Sequence, residues 1–241
     1  MKRLLFASFC GAGLATSSFA SVLMNETFSY ADGPLTTVSG GVWISHSGTA
    51  LQQDVASGVL NVTQSESEDT HANFAAQGAG STIWTGIDLN MTAAPSATGT
   101  YFMHYSDGGT SNFKAKVFAT TAGAATGFYR LGISDVANTG YNTVTTDLAL
   151  GTTYRVLFSS DVDTNDSSLE VVGVGTALHA DTATATVLSA INFRQASGMG
   201  TMTVDNLLIG TTRDDVLPVP EPVSVLGLAT GLVALARRRK K

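Results

Sequence analysis

The sequence predicts an all-β protein, a two-sheet antiparallel β-sandwich. Three observations carry this. Thr, Val, Gly, Ser and Ala dominate the middle of the 241-residue chain, where no long stretch shows the helical apolar period of about 3.6. Short runs alternate apolar and polar residues, which puts every second side chain on one face of a strand. Gly, Asp, Asn and Ser gather between these runs, where turns need them.

The chain opens with a charged start, Lys2 and Arg3, and an apolar run from Leu4 to Leu14 that is too short to span a membrane. Ser18-Phe19-Ala20 then offers small residues where a signal peptidase needs them. Residues 1–20 are therefore expected to form a signal helix, cut after Ala20. The single cysteine, Cys10, falls inside that peptide. Bulky Phe9 stands before it, where lipid attachment requires a small residue. The exported region thus has no disulfide, and its core alone must hold it together.

The strands follow in order. Met24–Ser29, Val42–Ser45 and Val59–Thr63 come first. Then Ile83, Thr85, Ile87 and Leu89 alternate with Thr82, Trp84, Gly86 and Asp88. Thr100–Tyr105 precedes Asp107-Gly108-Gly109, which supplies the positive-φ residues of a hairpin turn. Phe113, Ala115 and Val117 alternate with Lys114 and Lys116, and Tyr129, Leu131 and Ile133 with Phe128, Arg130 and Gly132. Tyr154, Val156 and Phe158 alternate with Arg155 and Leu157. Leu169–Val174, Ala190–Gln195 and Met202–Ile209 complete a set of about a dozen strands, enough for two sheets. The apolar sides of these runs name an expected core: Phe28, Val59, Ile87, Phe113, Val117, Leu131, Val156, Phe158, Val204 and Leu207.

The chain end is organised differently. Residues 213–219 read as a linker, and 220–241 as a separate tail. Pro220-Glu221-Pro222 leads into an uncharged run from Val223 to Ala236, followed by Arg237, Arg238, Arg239, Lys240 and Lys241. Fourteen helical residues reach about 21 Å, short of a hydrocarbon core of about 30 Å. Such a span holds if the basic side chains snorkel and the bilayer thins. The basic cluster would stay cytoplasmic and leave the preceding chain outside. This tail resembles the PEP-CTERM sorting signal of Gram-negative bacteria: motif, transmembrane helix and basic end. The resemblance implies recognition by an exosortase, a membrane cysteine protease, transient anchoring in the inner membrane, and a final place at the cell surface or in extracellular polysaccharide.

Removing both ends takes away seven of the 13 Lys and Arg residues and one of the 19 acids. Residues 21–219, the domain at 21–212 with its linker, keep six cations against 18 anions, a net charge near −12. Such a domain repels nucleic acid and anionic lipid, and is compatible with neutral sugars, cationic polymers or divalent cations.

A second resemblance concerns the domain. Asn25-Glu26-Thr27-Phe28-Ser29-Tyr30 with Asp32-Gly33, and Thr203-Val204-Asp205-Asn206-Leu207-Leu208-Ile209, resemble the first and last strands of concanavalin A-like, laminin-G-like jelly rolls. Gly127–Ser134 and Leu150–Val156 fit the same pattern. The resemblance implies that the terminal strands lie side by side. That fold hosts lectins, adhesins and glycosidases, so it leaves function open.

Candidate chemistry is sparse. His46, His71, His104 and His179 are scattered, with no metal-ligand spacing. Glycosidases of the laminarinase kind carry Glu-x-Asp-x-x-Glu on one strand, and no strand here has it. Glu66, Glu68 and Asp69 sit among polar residues that read as a solvated loop. Asp161, Asp163 and Asn165 place oxygens on alternate residues, as Ca²⁺ requires, but Asp166 and Val172 stand where an EF-hand needs Gly and Glu. A turn accounts for them as well, so no cofactor is expected beyond a weak Ca²⁺ candidate. Trp43 is assigned to the core. Trp84 and Asp88 share the polar side of one strand and form a candidate sugar-stacking pair. The expectation is a non-enzymatic exported protein with a structural or adhesive sandwich that contacts polysaccharide. The alternatives are a lectin-like carbohydrate-binding module, or a glycan hydrolase or lyase. Signal peptidase and exosortase are the expected partners during export.

Overall fold

A computed structural model of the chain describes residues 22–135, 138–180 and 184–217. The signal peptide with Cys10, the motif Pro220-Glu221-Pro222, the apolar run and the basic cluster Arg237–Lys241 lie outside these residues. Among the described residues, no helix is long and apolar enough to cross a membrane.

Seventeen strands are described. They are β1 (Val22–Glu26), β2 (Gly33–Pro34), β3 (Trp43–Ser47), β4 (Asp54–Ala56), β5 (Val59–Val62), β6 (Asp69–Gln77), β7 (Thr82–Ala93), β8 (Thr100–Ser106) and β9 (Lys114–Thr120). After them come β10 (Phe128–Ser134), β11 (Asn142–Thr143), β12 (Leu148–Ala149), β13 (Thr153–Asp161), β14 (Ser167–Val171), β15 (Gly175–His179), β16 (Leu188–Arg194) and β17 (Thr201–Gly210). One helical turn, Leu35–Val38, precedes β3, and a 3-10 turn, Asp214–Val216, follows β17.

The strands form two antiparallel sheets. The first runs β15-β14-β13-β7-β17-β5-β4-β2, with β1 also on β17. The second runs β11-β10-β9-β8-β16-β6-β3, with β12 on β10. The two strands latest in the chain therefore sit inside the sheets, β17 between β7 and β5, and β16 between β8 and β6. The terminal strands pair as expected, Met24 with Ile209 and Glu26 with Leu207.

The core lies between the sheets. In β7, Ile83, Ile87, Leu89 and Met91 are fully buried, while Thr82, Trp84, Asp88 and Asn90 on the other face are partly exposed. Tyr105 and Phe158 meet across the sandwich with ring centres 4.9 Å apart, and the Tyr105 hydroxyl donates to Thr85 Oγ1 at 2.7 Å. Trp43, as assigned, packs against Phe28 and Phe193. Eight of the ten expected core residues are buried; Val59 and Phe113 are only partly so. In β5, Leu60 and Val62 take the inward places that Val59 was expected to share.

Phe113 fails for a different reason. Ala115 adopts φ 47°, and the pairing of β8 with β9 is irregular at this point. A bulge of this sort turns neighbouring side chains to the opposite face. Phe113 therefore leaves the core, and Lys114, from the polar side of the alternating run, is buried.

The stretch read as a linker docks at its beginning. Val216 is fully buried, and Asp215 accepts hydrogen bonds from the Thr211 and Thr212 amides at 3.0 and 2.9 Å. Arg213 binds Glu170 through two hydrogen bonds of 2.8 and 2.7 Å. Its landing place is Gly86, where an added Cβ would stand 2.5 Å from the Val216 carbonyl oxygen.

Candidate functional site

The face of the second sheet turned away from the core carries the densest chemistry. Strand register builds it. Ile44 stands opposite His71, His71 opposite Asn192, and Asn192 opposite His104, so four adjacent strands contribute to one row. Asn192 Nδ2 donates to the His104 carbonyl at 3.3 Å and to Ser106 Oγ at 3.0 Å, which ties the row to its neighbours.

Seven rings run continuously across this face. His71 lies 5.5 Å from His46, His46 lies 6.2 Å from Phe113, and Phe113 lies 4.1 Å from His104. His104 meets the edge of Tyr101 at 5.5 Å, Tyr101 meets Phe118 at 5.7 Å, and Phe118 stacks on Tyr141 at 4.3 Å. Two cations join them. The Arg194 guanidinium is 4.4 Å from the Tyr101 ring centre, and Lys116 Nζ is 5.2 Å from the same ring. Cations at such distances are drawn to the ring's negative face. Lys116 Nζ also donates to Asn138 Oδ1 at 2.8 Å. Phe113, Lys114 and Lys116 border a cleft of about 250 Å³ with Ser111, Thr184 and Thr186.

Burial sets the charge of this face. It lowers the pKa of His46 against the pull of Asp69, and lowers that of His71, helped by His46. His104 is fully buried, and neither ring nitrogen has a hydrogen-bond partner. Burial pushes its pKa well below the usual value, assisted by His46, Lys116 and Arg194. The three imidazoles are thus neutral near pH 7, and Arg194 and Lys116 supply positive charge. Asp69 is engaged, accepting from Ser47 Oγ at 2.7 Å and from the Gln195 amide at 3.2 Å. Partly exposed rings beside fixed cations can hold a sugar ring and its anionic substituents.

The residues singled out from sequence stand elsewhere. Trp84 and Asp88 do share the outer face of β7, but Gly86 lies between them under the Val216 carbonyl, the Arg155 guanidinium and Leu157. Both Asp88 oxygens are occupied, by Arg155 Nη1 at 3.2 Å and Asn206 Nδ2 at 2.9 Å. The structure does not join them in one open surface. Asp161, Asp163 and Asn165 diverge. Asp161 caps its own turn by accepting from the Asp163 and Thr164 amides, Asp163 accepts from the Gly80 amide, and Asn165 accepts from Lys114. Among the described residues, no group of three or more His, Cys, Asp or Glu side chains could hold a metal ion.

The acidic stretch is no solvated loop. Glu68 is fully buried and accepts from the Gln52 and Gln53 amides, both at 2.8 Å. Glu66 accepts from Gln195 Nε2 at 2.6 Å. The histidines, scattered in sequence, are not scattered in space: His46, His71 and His104 converge, while His179 accepts from the Asp135 amide elsewhere. Only cross-strand register brings the three together, and β6, which carries His71, has no apolar alternation strong enough to announce it.

No family model matches the chain, and no curated protein matches it. Solved structures do. A sialidase is 15% identical with a TM-score of 0.52, over 79% of this chain and 19% of its own length. A lectin, UEA-II, solved in complex with galactose, is 14% identical with a TM-score of 0.49, over 79% of this chain and 99% of its own. The carbohydrate recognition domain of Emp47p is 7% identical with a TM-score of 0.47, over 78% of this chain and 96% of its own. The chain thus spans about a fifth of the sialidase, and what it shares with that protein is the fold, a two-sheet antiparallel sandwich.

Proposed function

We propose that this chain is an exported, non-catalytic sandwich of the cell surface or extracellular matrix that contacts polysaccharide through the ring belt of its second sheet. One observation carries the reading: the partly exposed Tyr101 ring lies within 4.4 Å of Arg194 and 5.2 Å of Lys116 in an otherwise acidic domain. Sugar recognition needs apolar faces that stack and a few fixed polar groups that orient. Tyr101, Phe113 and Tyr141 supply the first, and Arg194 and Lys116 the second. A carboxylated glycan suits the two cations, since charge-assisted hydrogen bonds to carboxylates are the stronger kind. The tail motif Pro220-Glu221-Pro222 supports sorting by an exosortase after a signal peptidase has removed residues 1–20.

The test is a glycan array with polysaccharide pull-down on residues 21–219, run with Tyr101→Ala and Arg194→Ala. Each substitution is expected to weaken retention at least tenfold, about 1.4 kcal/mol. Trp84→Ala should leave retention unchanged. Retention lost through Trp84 and kept without Tyr101 would move the site to the other sheet. Turnover of any retained glycan would replace the non-catalytic reading with an enzymatic one.

A further inference from the structure

Lys114, Asp135 and Asn165 meet inside the sandwich. Lys114 Nζ lies 2.8 Å from Asn165 Oδ1 and 3.3 Å from Asp135 Oδ2. All three residues are buried, Lys114 at 4% exposure, Asn165 at 3% and Asp135 at 0%. They come from different places. Lys114 opens β9, Asp135 follows β10 on the adjacent strand, and Asn165 lies in the loop between β13 and β14 of the other sheet. The backbone is bent to bring them together: Ala115 has φ 47° and Asn165 has φ 60°. The Ala115 amide donates to Asp135 Oδ1 at 3.4 Å, which leaves Oδ2 for the amine.

A buried lysine beside a carboxylate is an ordinary ion pair when only those two groups meet. Here a carboxamide is the third member, and its carbonyl oxygen, one bond from the electrophilic carbon, is already in contact with the amine. Desolvation and an adjacent base are the conditions that make a lysine amine nucleophilic. Held geometry of this kind replaces much of the entropy that such a reaction otherwise costs.

We propose that Lys114 and Asn165 form an intramolecular isopeptide bond, with Asp135 moving the protons. Asp135 Oδ2 takes one proton from the Lys114 ammonium. The neutral amine adds to Asn165 Cγ, forming the new C–N bond. The original C–N bond of the carboxamide then breaks, and Asp135 relays a proton to the departing nitrogen, which leaves as ammonia. The second proton shed by Lys114 stays on Asp135 as a neutral carboxylic acid. Nothing is oxidised or reduced. The cleft that Lys114 borders gives ammonia a way out. The product ties the two sheets together in a domain that has no cysteine for a disulfide.

Intact mass spectrometry of the purified full chain tests this. The expected mass is below the sequence mass of the same processed form by one ammonia, about 17 Da. A proteolytic digest should contain a branched peptide joining Lys114 to Asn165. Asp135→Asn and Asn165→Ala should each restore the unmodified mass, with circular dichroism reporting whether the variant folds. A folded wild-type protein of full sequence mass overturns the proposal outright. A 17 Da loss confined to Asn165, with Lys114 cleavable by trypsin, marks a succinimide and overturns it equally. Loss retained in folded Asp135→Asn removes Asp135 from the proton path while the branched peptide still establishes the bond.

Discussion

Glu26 shows how much one side chain can organise at the residue scale. It is buried, and its oxygens accept from the Phe28 amide at 2.7 Å, the Tyr30 hydroxyl at 2.6 Å and the Trp43 indole at 3.1 Å. It holds Phe28 at φ 47° and so aims that ring at Trp43 and Phe193. Burial and Glu26 together raise the pKa of the Tyr30 hydroxyl. Glu26→Ala orphans three donors. Hydrogen bonds to charged groups contribute about 1.5–3 kcal/mol each, so urea denaturation should show a loss of at least about 3 kcal/mol. Glu26→Gln should lose less, since it keeps an acceptor. His104 makes a pH prediction. Its folded pKa lies well below its unfolded value, so the unfolded state binds the extra proton. Its contribution is therefore complete above the unfolded pKa of about 6.5 and declines as pH falls below it. His46, Lys116 and Arg194 face it and all act in that direction. Thermal melts should drop between pH 7 and pH 5, and the slope should flatten in His104→Phe. An equal slope in that variant would assign the acid sensitivity to other groups.

Among the elements, legibility followed alternation. In β7 the sequence Ile83-Trp84-Thr85-Gly86-Ile87-Asp88-Leu89 states its two faces, and the structure keeps them. In β6 the inward residues are Thr70, Ala72 and Phe74, two of them weakly apolar, so the strand reads as polar until its neighbours are known. Thr70 is satisfied by a hydrogen bond to Gln53, a partner 17 residues away. Glu68 escaped notice for the same reason, because backbone amides from another segment solvate it. The bulge at Ala115 reverses Phe113 and Lys114, and no composition signal marks it. The pairing of β1 with β17 was legible only through resemblance, yet it supports a clear expectation. Deleting residues 22–26 removes the pairing with β17 and the Glu26 acceptor together, and the domain should no longer melt cooperatively. Gly86→Val should push the Val216 carbonyl off β7, since its first added carbon would stand 2.5 Å away. Limited proteolysis should then cut near Arg213, while the far-UV spectrum stays that of a sandwich. An uncut chain would show that Arg213 and Glu170 hold the segment alone.

For the whole molecule, charge and address separate. The domain is strongly acidic, yet the ring belt gathers Arg194 and Lys116 on one face. Binding to an anionic glycan there should weaken as salt rises, because the ions would be exchanged for counterions. The tail is expected to govern location and not folding, since the described strands complete both sheets by Gly210 and Val216 already docks the segment that follows. Removing residues 220–241 should give a soluble, cooperatively melting domain released from the envelope. Replacing Pro220-Glu221-Pro222 with alanines should leave uncut protein in the inner membrane of a host that has an exosortase, as read by fractionation and immunoblot. Normal processing of that variant would show that the motif is not what the protease reads.

The interior places of β16 and β17 bear on when this chain can fold. A ribosome makes residues 22–187 first, and at about 5–20 residues per second this takes on the order of ten seconds. Throughout that time β6 and β8 lack the strand that separates them, and β5 and β7 lack theirs. Neither half-built sheet can close early. The nascent chain stays open until β16 and β17, residues 188–210, are made, the form in which a polypeptide is threaded through a narrow translocation pore.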